Sequence, residues 1–390
     1  MAISEKVVGY MEKSSWIRKM FEEGIQLKKE FGEENVFDLS LGNPVMEPPE
    51  EVRKVLVECA RDESPGLHRY MPNAGFANVR AVIAESLSPE CKLSANDVVM
   101  VCGAAGGLNI TLKTLLDPGD EVIIFTPYFV EYLFYADNHG GKAVPVSTGD
   151  DFRLDFSALK NALNEKTKAV IINSPNNPTG VVYSRKELRD LADILKTHSN
   201  RFGKAVHLIS DDPYKKITFD GVEAPNILEF YDNSIYITSH SKDIALPGER
   251  IGFVAVHPRC EDAGPIMAGL IFCNRVLGFV NAPALIQRVV KQVQSVTVDV
   301  EQYRRKRDYL YKELTRIGYD VVKPQGAFYF FPKSPLEDEV EFVRKLAENK
   351  VLVVPGRGFG LPGYFRISYC FPDSVIEGSI LGFEQAFRAF

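Results

Sequence analysis

The stretch KAVIINSPNNPTG (168–180) is a continuous apolar run that stops at Asn173 and passes into a turn of Ser174, Pro175, Asn176, Asn177, Pro178, Thr179 and Gly180. The run does not alternate apolar with polar residues, so it reads as a strand buried on both faces. Five more runs of this kind flank it: VVMVC (98–102), EVIIF (121–125), VHLIS (206–210), SIYIT (234–238) and IGFVAV (251–256). Helical stretches such as 106–116 and 184–197 lie between several of them. Strand and helix in alternation predict an α/β fold, with a mainly parallel sheet covered on both sides.

Outside this block the pattern changes. A long charged helix is expected over about 285–315, carrying EQYRRKRDYLYKEL, followed by AFYFF (327–331), a helix near 338–349, VLVV (351–354) and FRISY (365–369). This is a smaller α+β unit. At the other end, Trp16, Ile17, Met20, Phe21, Ile25 and Leu27 fall near a 3.6-residue period and predict one helix over 10–30. It leads into FDLSLGNPVMEPP (37–49), a short strand broken by Gly42 and Pro44. The Pro-rich stretch 44–49 reads as a crossing between domains. The N-terminal helix has no partner of its own and is assigned to the C-terminal unit. The expected division is a large domain over 50–284 and a small domain made of 1–49 with 285–390.

The 390 residues are enough for two domains, and 45% apolar with 25% charged residues excludes disorder, collagen-like repeats and a small disulfide scaffold. A formal charge of 46 − 52 = −6, with no basic tail, argues against nucleic acid or an anionic membrane as partner. Cys59, Cys91, Cys102, Cys260, Cys273 and Cys370 form no C-x-x-C pair and no spacing that suits a metal. They read as free thiols of a reducing compartment. The first sixteen residues, MAISEKVVGYMEKSSW, carry charge where a signal peptide needs an apolar core, and no run approaches the ~20 apolar residues of a membrane span. A soluble, cytoplasmic protein is expected.

Ligands of open α/β sheets bind beyond the carboxyl ends of the strands. Those ends carry Gly103-Ala104-Ala105-Gly106-Gly107, then Phe129, then Asn176 and Asn177, then Asp211, Asp212 and Tyr214, then Ser239 to Lys242. Each group has an ordinary structural use. The Gly/Ala run allows close packing of helix on sheet or offers N–H groups to a phosphate; the Asn-Pro string is good turn chemistry; the Asp pair suits a helix N-cap; a lysine by default is solvated. What singles them out is their gathering on one rim. No Walker pattern and no G-x-G-x-x-G occurs, which sets aside nucleoside triphosphates and NAD.

Taken in order, these residues resemble the class I/II aminotransferases, the fold-type-I enzymes that use pyridoxal 5′-phosphate. LGNPVMEPP is similar to a Gly-Xaa-Pro segment of that family, and Tyr70-Met-Pro-Asn-Ala-Gly75 with Val79-Arg80 to its Y-x-P-x-x-G-x-x-x-L-R element. SPNNPTG, DDPY, SHSKDIALPGERIG and FRISY resemble four further family strings. Two departures stand out: Asp212 occupies a position where many relatives have Glu, and the phosphate turn lacks a hydroxyl residue, so Ala104 and Ala105 offer only backbone N–H.

The resemblance implies a seven-stranded, mostly parallel sheet in the large domain and a definite set of roles. Lys242 forms the imine with the cofactor and moves the substrate α-proton. Asp211 keeps the pyridine nitrogen protonated, Asn177 and Tyr214 donate to the ring oxygen, and Phe129 stacks on the ring. Ser239, Arg250 and the N–H groups of Ala104 and Ala105 hold the phosphate, joined by Tyr70 from the neighbouring subunit of a homodimer. Arg366 clamps the substrate α-carboxylate, with Asn177 and the Gly42 backbone. FRISY places Arg366 and Ser368 on one strand face and Phe365, Ile367 and Tyr369 on the other. Lys215, Lys216, His68, His240 and Arg357 are left as surface or supporting residues, and Arg275 as an unsupported candidate for reading a second carboxylate. The function implied is ping-pong amino-group transfer between an L-amino acid and a 2-oxo acid, with a C–S lyase of the same fold as the rival. A transcription regulator would need a DNA-binding domain, and the short, non-basic stretch before residue 40 does not suggest one.

Overall fold

The main sheet has seven strands, and all but one follow the apolar runs closely. β1 (Phe37–Asp38) lies outside it; the sheet is made of β2 (Val98–Val101), β3 (Glu121–Thr126), β4 (Lys142–Ser147), β5 (Thr167–Ile172), β6 (His207–Asp211), β7 (Ser234–Ser239) and β8 (Gly252–Val256). In this computed structural model, which describes residues 2–13, 15–87 and 89–390, the strand order is β2-β8-β7-β6-β5-β3-β4. All neighbours pair in parallel except β8, which runs antiparallel to both β2 and β7.

Burial on both faces is direct. Val99, Val101, Ile124, Ile171, Ile209, Ile237 and Val254 enter one apolar cluster. Their neighbours in the same strands, among them Ile123, Val170 and Leu208, enter a second, and Val98, Met100, Tyr236 and Phe253 a third. Six of the seven strands match the six expected runs. The seventh, β4, was not expected: its sequence KAVPVS is mostly exposed or half-buried, and it carries Pro145. It pairs only with β3, at the sheet edge, the place where a proline without an N–H is tolerated.

The expected long helix over 285–315 is two helices. Ala284–Gln292 packs against the helices Glu50–Arg61 and Ala77–Leu87, and Val300–Ile317 starts anew where the Asp299 side chain accepts from the Glu301 N–H. The expected N-terminal helix over 10–30 falls on the helical spans Glu5–Lys13 and Ser15–Phe31, with residue 14 outside the described residues. The side chains of Ile17 and Phe21 lie outside the described residues.

The smaller unit is built from β9 (Tyr329–Phe330), β10 (Val351–Leu352), β11 (Val354–Pro355) and β12 (Phe365–Ser368). β1 pairs in parallel with β10, and β11-β12-β9 form an antiparallel sheet. One core joins Met20, Leu39, Leu310, Leu314, Phe330, Phe342, Phe365, Ile367, Tyr369 and Phe383. The first helix also leans the other way: Lys6 pairs with Asp137 at 3.0 Å, and the Tyr10 and Phe134 rings lie 4.8 Å apart. No described helix is long and apolar enough to cross a membrane.

Candidate active site

Beyond the carboxyl ends of β5, β6 and β7 lies a cavity of about 330 Å³, whose wall includes Gly42, Ala104, Ala105, Phe129, Asn177, Asp211, Tyr214, Ser239, Lys242, Arg250 and Arg366. Eleven of the twelve expected residues therefore meet on one wall; the twelfth, Tyr70, does not. It is 95% exposed. Its loop is nonetheless anchored, because Asn274 donates to the Asn73 carbonyl and Asn281 to the Pro72 carbonyl.

Asp211 ends β6, and its carboxylate is buried. Oδ2 accepts from the Tyr132 hydroxyl at 2.7 Å; Oδ1 is sealed from solvent and has no partner. Burial raises its pKa to about 7, against the Tyr132 hydrogen bond and with help from Asp212. Asp212 faces away, into a different cavity that it shares with Lys215, Lys216, His240 and Asp243. It accepts from the Ser210 hydroxyl at 2.6 Å. The two adjacent carboxylates thus occupy opposite sides of the strand end, as alternation requires.

Lys242 follows β7 in a one-turn helix, His240–Asp243. Its Nζ donates to the Gly42 carbonyl at 2.7 Å and has no carboxylate partner among the described residues. Burial, aided by the charges of Arg366 and Arg250 and opposed by Cys370, lowers its pKa to about 8. Gly42 is held without a side chain by the Tyr329 hydroxyl, which a Cβ would meet at 2.0 Å.

Arg366 is 4% exposed. It donates to Asn177 Oδ1 at 3.1 Å and to the Ser40 carbonyl at 2.6 Å, its guanidinium lies between the Tyr329 and Phe359 rings, and its Nε has no partner. A buried guanidinium with no ion pair among the described residues is not an edge arginine reaching to water. Its strand neighbours Phe365, Ile367 and Tyr369 lie in the small-unit core, as the alternation predicted.

The helix Gly103–Leu115 begins at the cavity wall with no side-chain cap, so the N–H groups of its first turn are left for a ligand. Gly103 has φ +73°, and a Cβ there would lie 2.7 Å from Arg250 Nη2. The missing side chain lets that guanidinium close over the helix start. Ser239, buried beside it, donates to Ser241 at 3.2 Å.

Several contributors were not expected from sequence. Tyr132 holds Asp211; Asn173 donates to the Asp211 carbonyl and accepts from the Asn177 N–H; and the Tyr329 hydroxyl lies 2.8 Å from that of Tyr214. Tyr132 lies one helical turn beyond Phe129, and Asn173 closes the run KAVIIN; both positions were open to inspection. Two residues set aside as surface or supporting lie further in: His240 is buried and paired with Asp243 at 3.1 Å, and Lys215 is half-buried with its Nζ sealed. Arg275 lies over the exposed Phe272 and is not on the cavity wall.

The family model described as aminotransferase class I and II matches residues 34–378. The chain belongs to that family. A probable aspartate aminotransferase of Methanocaldococcus jannaschii is 33% identical, the match covering 88% of this chain and 91% of that protein. An aromatic-amino-acid aminotransferase of Thermococcus litoralis is 31% identical over 100% and 99% of the two chains. Among solved structures, an aminotransferase of Eubacterium rectale superposes with a TM-score of 0.96 at 39% identity, over 100% and 99%. This aminotransferase is a pyridoxal-phosphate-dependent transaminase: it moves an amino group between small-molecule substrates. The rival reading, a C–S lyase, is not the activity named for these relatives. The cavity also fits the cofactor on its own terms. An orphaned buried carboxylate oxygen, an uncapped helix start beneath an arginine, and a desolvated lysine suit a protonated ring nitrogen, a phosphate and an aldehyde respectively.

Proposed function

We propose that the transfer is a two-stage exchange in which the residues of this one cavity hold both cofactor and substrate. The observation that carries this reading is the set of groups left without partners there: Asp211 Oδ1, Arg366 Nε and an amine bonded only to a backbone carbonyl. When bound, pyridoxal 5′-phosphate supplies a carbonyl for the amino group and a ring that withdraws electrons from the substrate α-carbon. Asp211 keeps a proton at the pyridine nitrogen. Asn177 and Tyr214 direct hydrogen bonds to the ring oxygen, and Phe129 covers a ring face. Arg250, Ser239 and the N–H groups of Ala104 and Ala105 hold the phosphate. Lys242, its pKa lowered to about 8, would hold the cofactor through its amine and, once freed by the substrate amino group, would take and return the α-proton. Arg366 and Asn177, with the Gly42 backbone, fix the α-carboxylate and so decide which bond at the α-carbon faces Lys242. A first amino acid leaves as its 2-oxo acid, and a second 2-oxo acid takes up the amino group. Mixing the holoenzyme with one amino donor, with no 2-oxo acid present, tests this: the aminated cofactor accumulates in a transferase, whereas release of pyruvate and ammonia overturns the reading.

Arg366→Lys follows directly. A single ammonium keeps the charge but not the two-point fork. Charged hydrogen bonds are each worth about 1.5–3 kcal/mol, so KM for amino and 2-oxo acids is expected to rise by about tenfold to a hundredfold. Cofactor affinity stays near that of the parent protein. An unchanged KM removes the clamp role.

Tyr70 supports a homodimer with shared sites, because an anchored loop presents its ring wholly to solvent. The exposed Phe272 and Val276 of the helix Ala263–Val276 add apolar surface for a partner. Mixing inactive Tyr70→Glu and Lys242→Ala proteins under subunit exchange is expected to restore activity to about a quarter of the parent level, since half the dimers are mixed and one site in each escapes both lesions. A fully active monomer at assay concentration refutes shared sites.

The division into a large domain, 50–284, and a small one, 1–49 with 285–390, is supported by the common core of Met20 and Leu39 with the C-terminal strands. The packing of Ala284–Gln292 on the helices Glu50–Arg61 and Ala77–Leu87 supports a changeover after Gln292. Six cysteines, none of them in a disulfide among the described residues, support a cytoplasmic location.

A further inference from the structure

The cavity wall carries five charged side chains among its described residues: Lys242, Asp211, Arg250, Arg366 and Glu131. The first four have roles above. Glu131 has none. It opens the helix Glu131–Asn138, two residues after Phe129. A glutamate in a first helical turn is favourable for the helix dipole, but a side chain turned out to water would serve that purpose. Glu131 is instead half-buried, with Oε2 sealed and without a partner, and it makes no ion pair among the described residues. Burial pushes its carboxyl up from the ordinary glutamate range, opposed by its own backbone N–H and by the field of Arg366. An unpaired, partly desolvated carboxylate is costly by itself and is relieved by a donor brought in by a ligand.

Once Arg366 holds the α-carboxylate and Lys242 serves the α-carbon, the substrate side chain is left to the rest of the wall, where Glu131 is the one remaining charge. We infer that Glu131 selects the amino donor, so that this site accepts an amino acid whose side chain ends in an amine or another N–H donor and disfavours one with a second carboxylate. The inference rests on the roles proposed for Arg366 and Lys242. A second carboxylate would face Glu131 while the wall's cations, Lys242, Arg250 and Arg366, are engaged in the roles proposed above, a repulsion that low dielectric enlarges. Arg275 does not answer it, since it lies over Phe272 and not on the wall. Specificity at this site is then set by a like-charge penalty as much as by a new attraction, and it departs from that named for the aspartate aminotransferase relative.

The test is a half-reaction panel. Holoenzyme is mixed separately with lysine, ornithine, glutamine, alanine, glutamate and aspartate, with no 2-oxo acid, and the cofactor absorbance change is timed. Dissociation constants for 2-methyllysine and 2-methylglutamate, which lack the α-hydrogen, report recognition without turnover. Lysine or ornithine is expected to exceed glutamate by about tenfold or more in both readouts. Glu131→Gln is expected to erase most of that ratio while alanine changes by less than about twofold, and Glu131→Asp to keep the order. Parent holoenzyme that prefers glutamate or aspartate to lysine, or a Glu131→Gln protein with an unchanged ratio, overturns the inference and leaves the proposed roles standing. No absorbance change with any amino acid overturns those roles and the inference together.

Discussion

Lys242→Ala is expected to abolish amino-group transfer, with a loss of about ten-thousandfold or more, while the chain still folds. Both parts follow from the surroundings of the amine. Nζ contributes one hydrogen bond to the fold, to the Gly42 carbonyl, and no ion pair among the described residues. Removing it from a cavity wall leaves no buried charge orphaned. Its chemistry is another matter. A lysine with its pKa lowered to about 8 is partly neutral at physiological pH, which both covalent bonding and proton transfer need. General acid–base catalysis by a positioned group alone contributes about a hundredfold to ten-thousandfold, and the covalent role adds to that. Borohydride reduction of the holoenzyme followed by peptide mapping identifies the lysine. Lys215 is the informative competitor: its amine is also desolvated and is closer in sequence to Asp211, yet it faces the neighbouring cavity beside Asp212, 4.0 Å away. Label on Lys215 would reverse the assignment, as would substantial turnover by Lys242→Ala.

That contrast shows what was legible in the sequence and what was not. The rim of the sheet was legible because the strands are buried on both faces: a continuous apolar run has an unambiguous end, and the next residue is on the rim. Asp211, Lys242 and Asn177 were found in this way. β4 was missed because an edge strand buries only part of its surface, so KAVPVS lacks the run, and Pro145 argues locally against a strand. The split of the 285–315 helix was missed because both halves are good helix sequences; the break is made by a turn after Gln292 and by the Asp299 cap, small local signals against a long helical background. Tyr329 reaches the cavity through tertiary placement of a short strand from the other unit, which no spacing encodes. Lys215 and His240 looked like surface residues because a lone charged residue usually is one, and only the fold reveals the cavity behind the strand ends.

Asp211→Asn is expected to lower the transfer rate by about a hundredfold or more, roughly 3 kcal/mol in the barrier, and at the same time to stabilise the cofactor-free protein near neutral pH. The amide keeps the shape and can still accept from Tyr132, so the 2.7 Å hydrogen bond has a substitute. What it cannot do is stay negative and hold a proton at the pyridine nitrogen. The stability gain has the opposite origin. Burial raises the folded-state pKa of Asp211 from 3.8 to about 7. A carboxylate with a raised pKa binds more protons folded than unfolded between those values, so the stability of the parent protein falls as pH rises through that window. Below about pH 3 both states are largely protonated and the penalty is absent; it grows as pH rises past the unfolded value of 3.8, and above about pH 7 it is fully present, on the order of 4 kcal/mol at most. Asparagine does not titrate, so the melting temperature of cofactor-free Asp211→Asn should exceed that of the parent at pH 8, with the difference closing toward about pH 3. The cofactor removes the reason for the penalty by bringing a proton-bearing partner to Oδ1, so in the loaded proteins the order should shrink or invert. Asp212→Asn is the control. It faces the other cavity, where burial raises its pKa to about 6 against the pull of Lys215 and the Ser210 hydrogen bond, and it should leave the transfer rate within about threefold of the parent. A larger rate loss at Asp212 than at Asp211 would exchange their roles. A cofactor-free Asp211→Asn protein that is less stable than the parent at pH 8 would show that the carboxylate is there for the fold and not for the ring nitrogen.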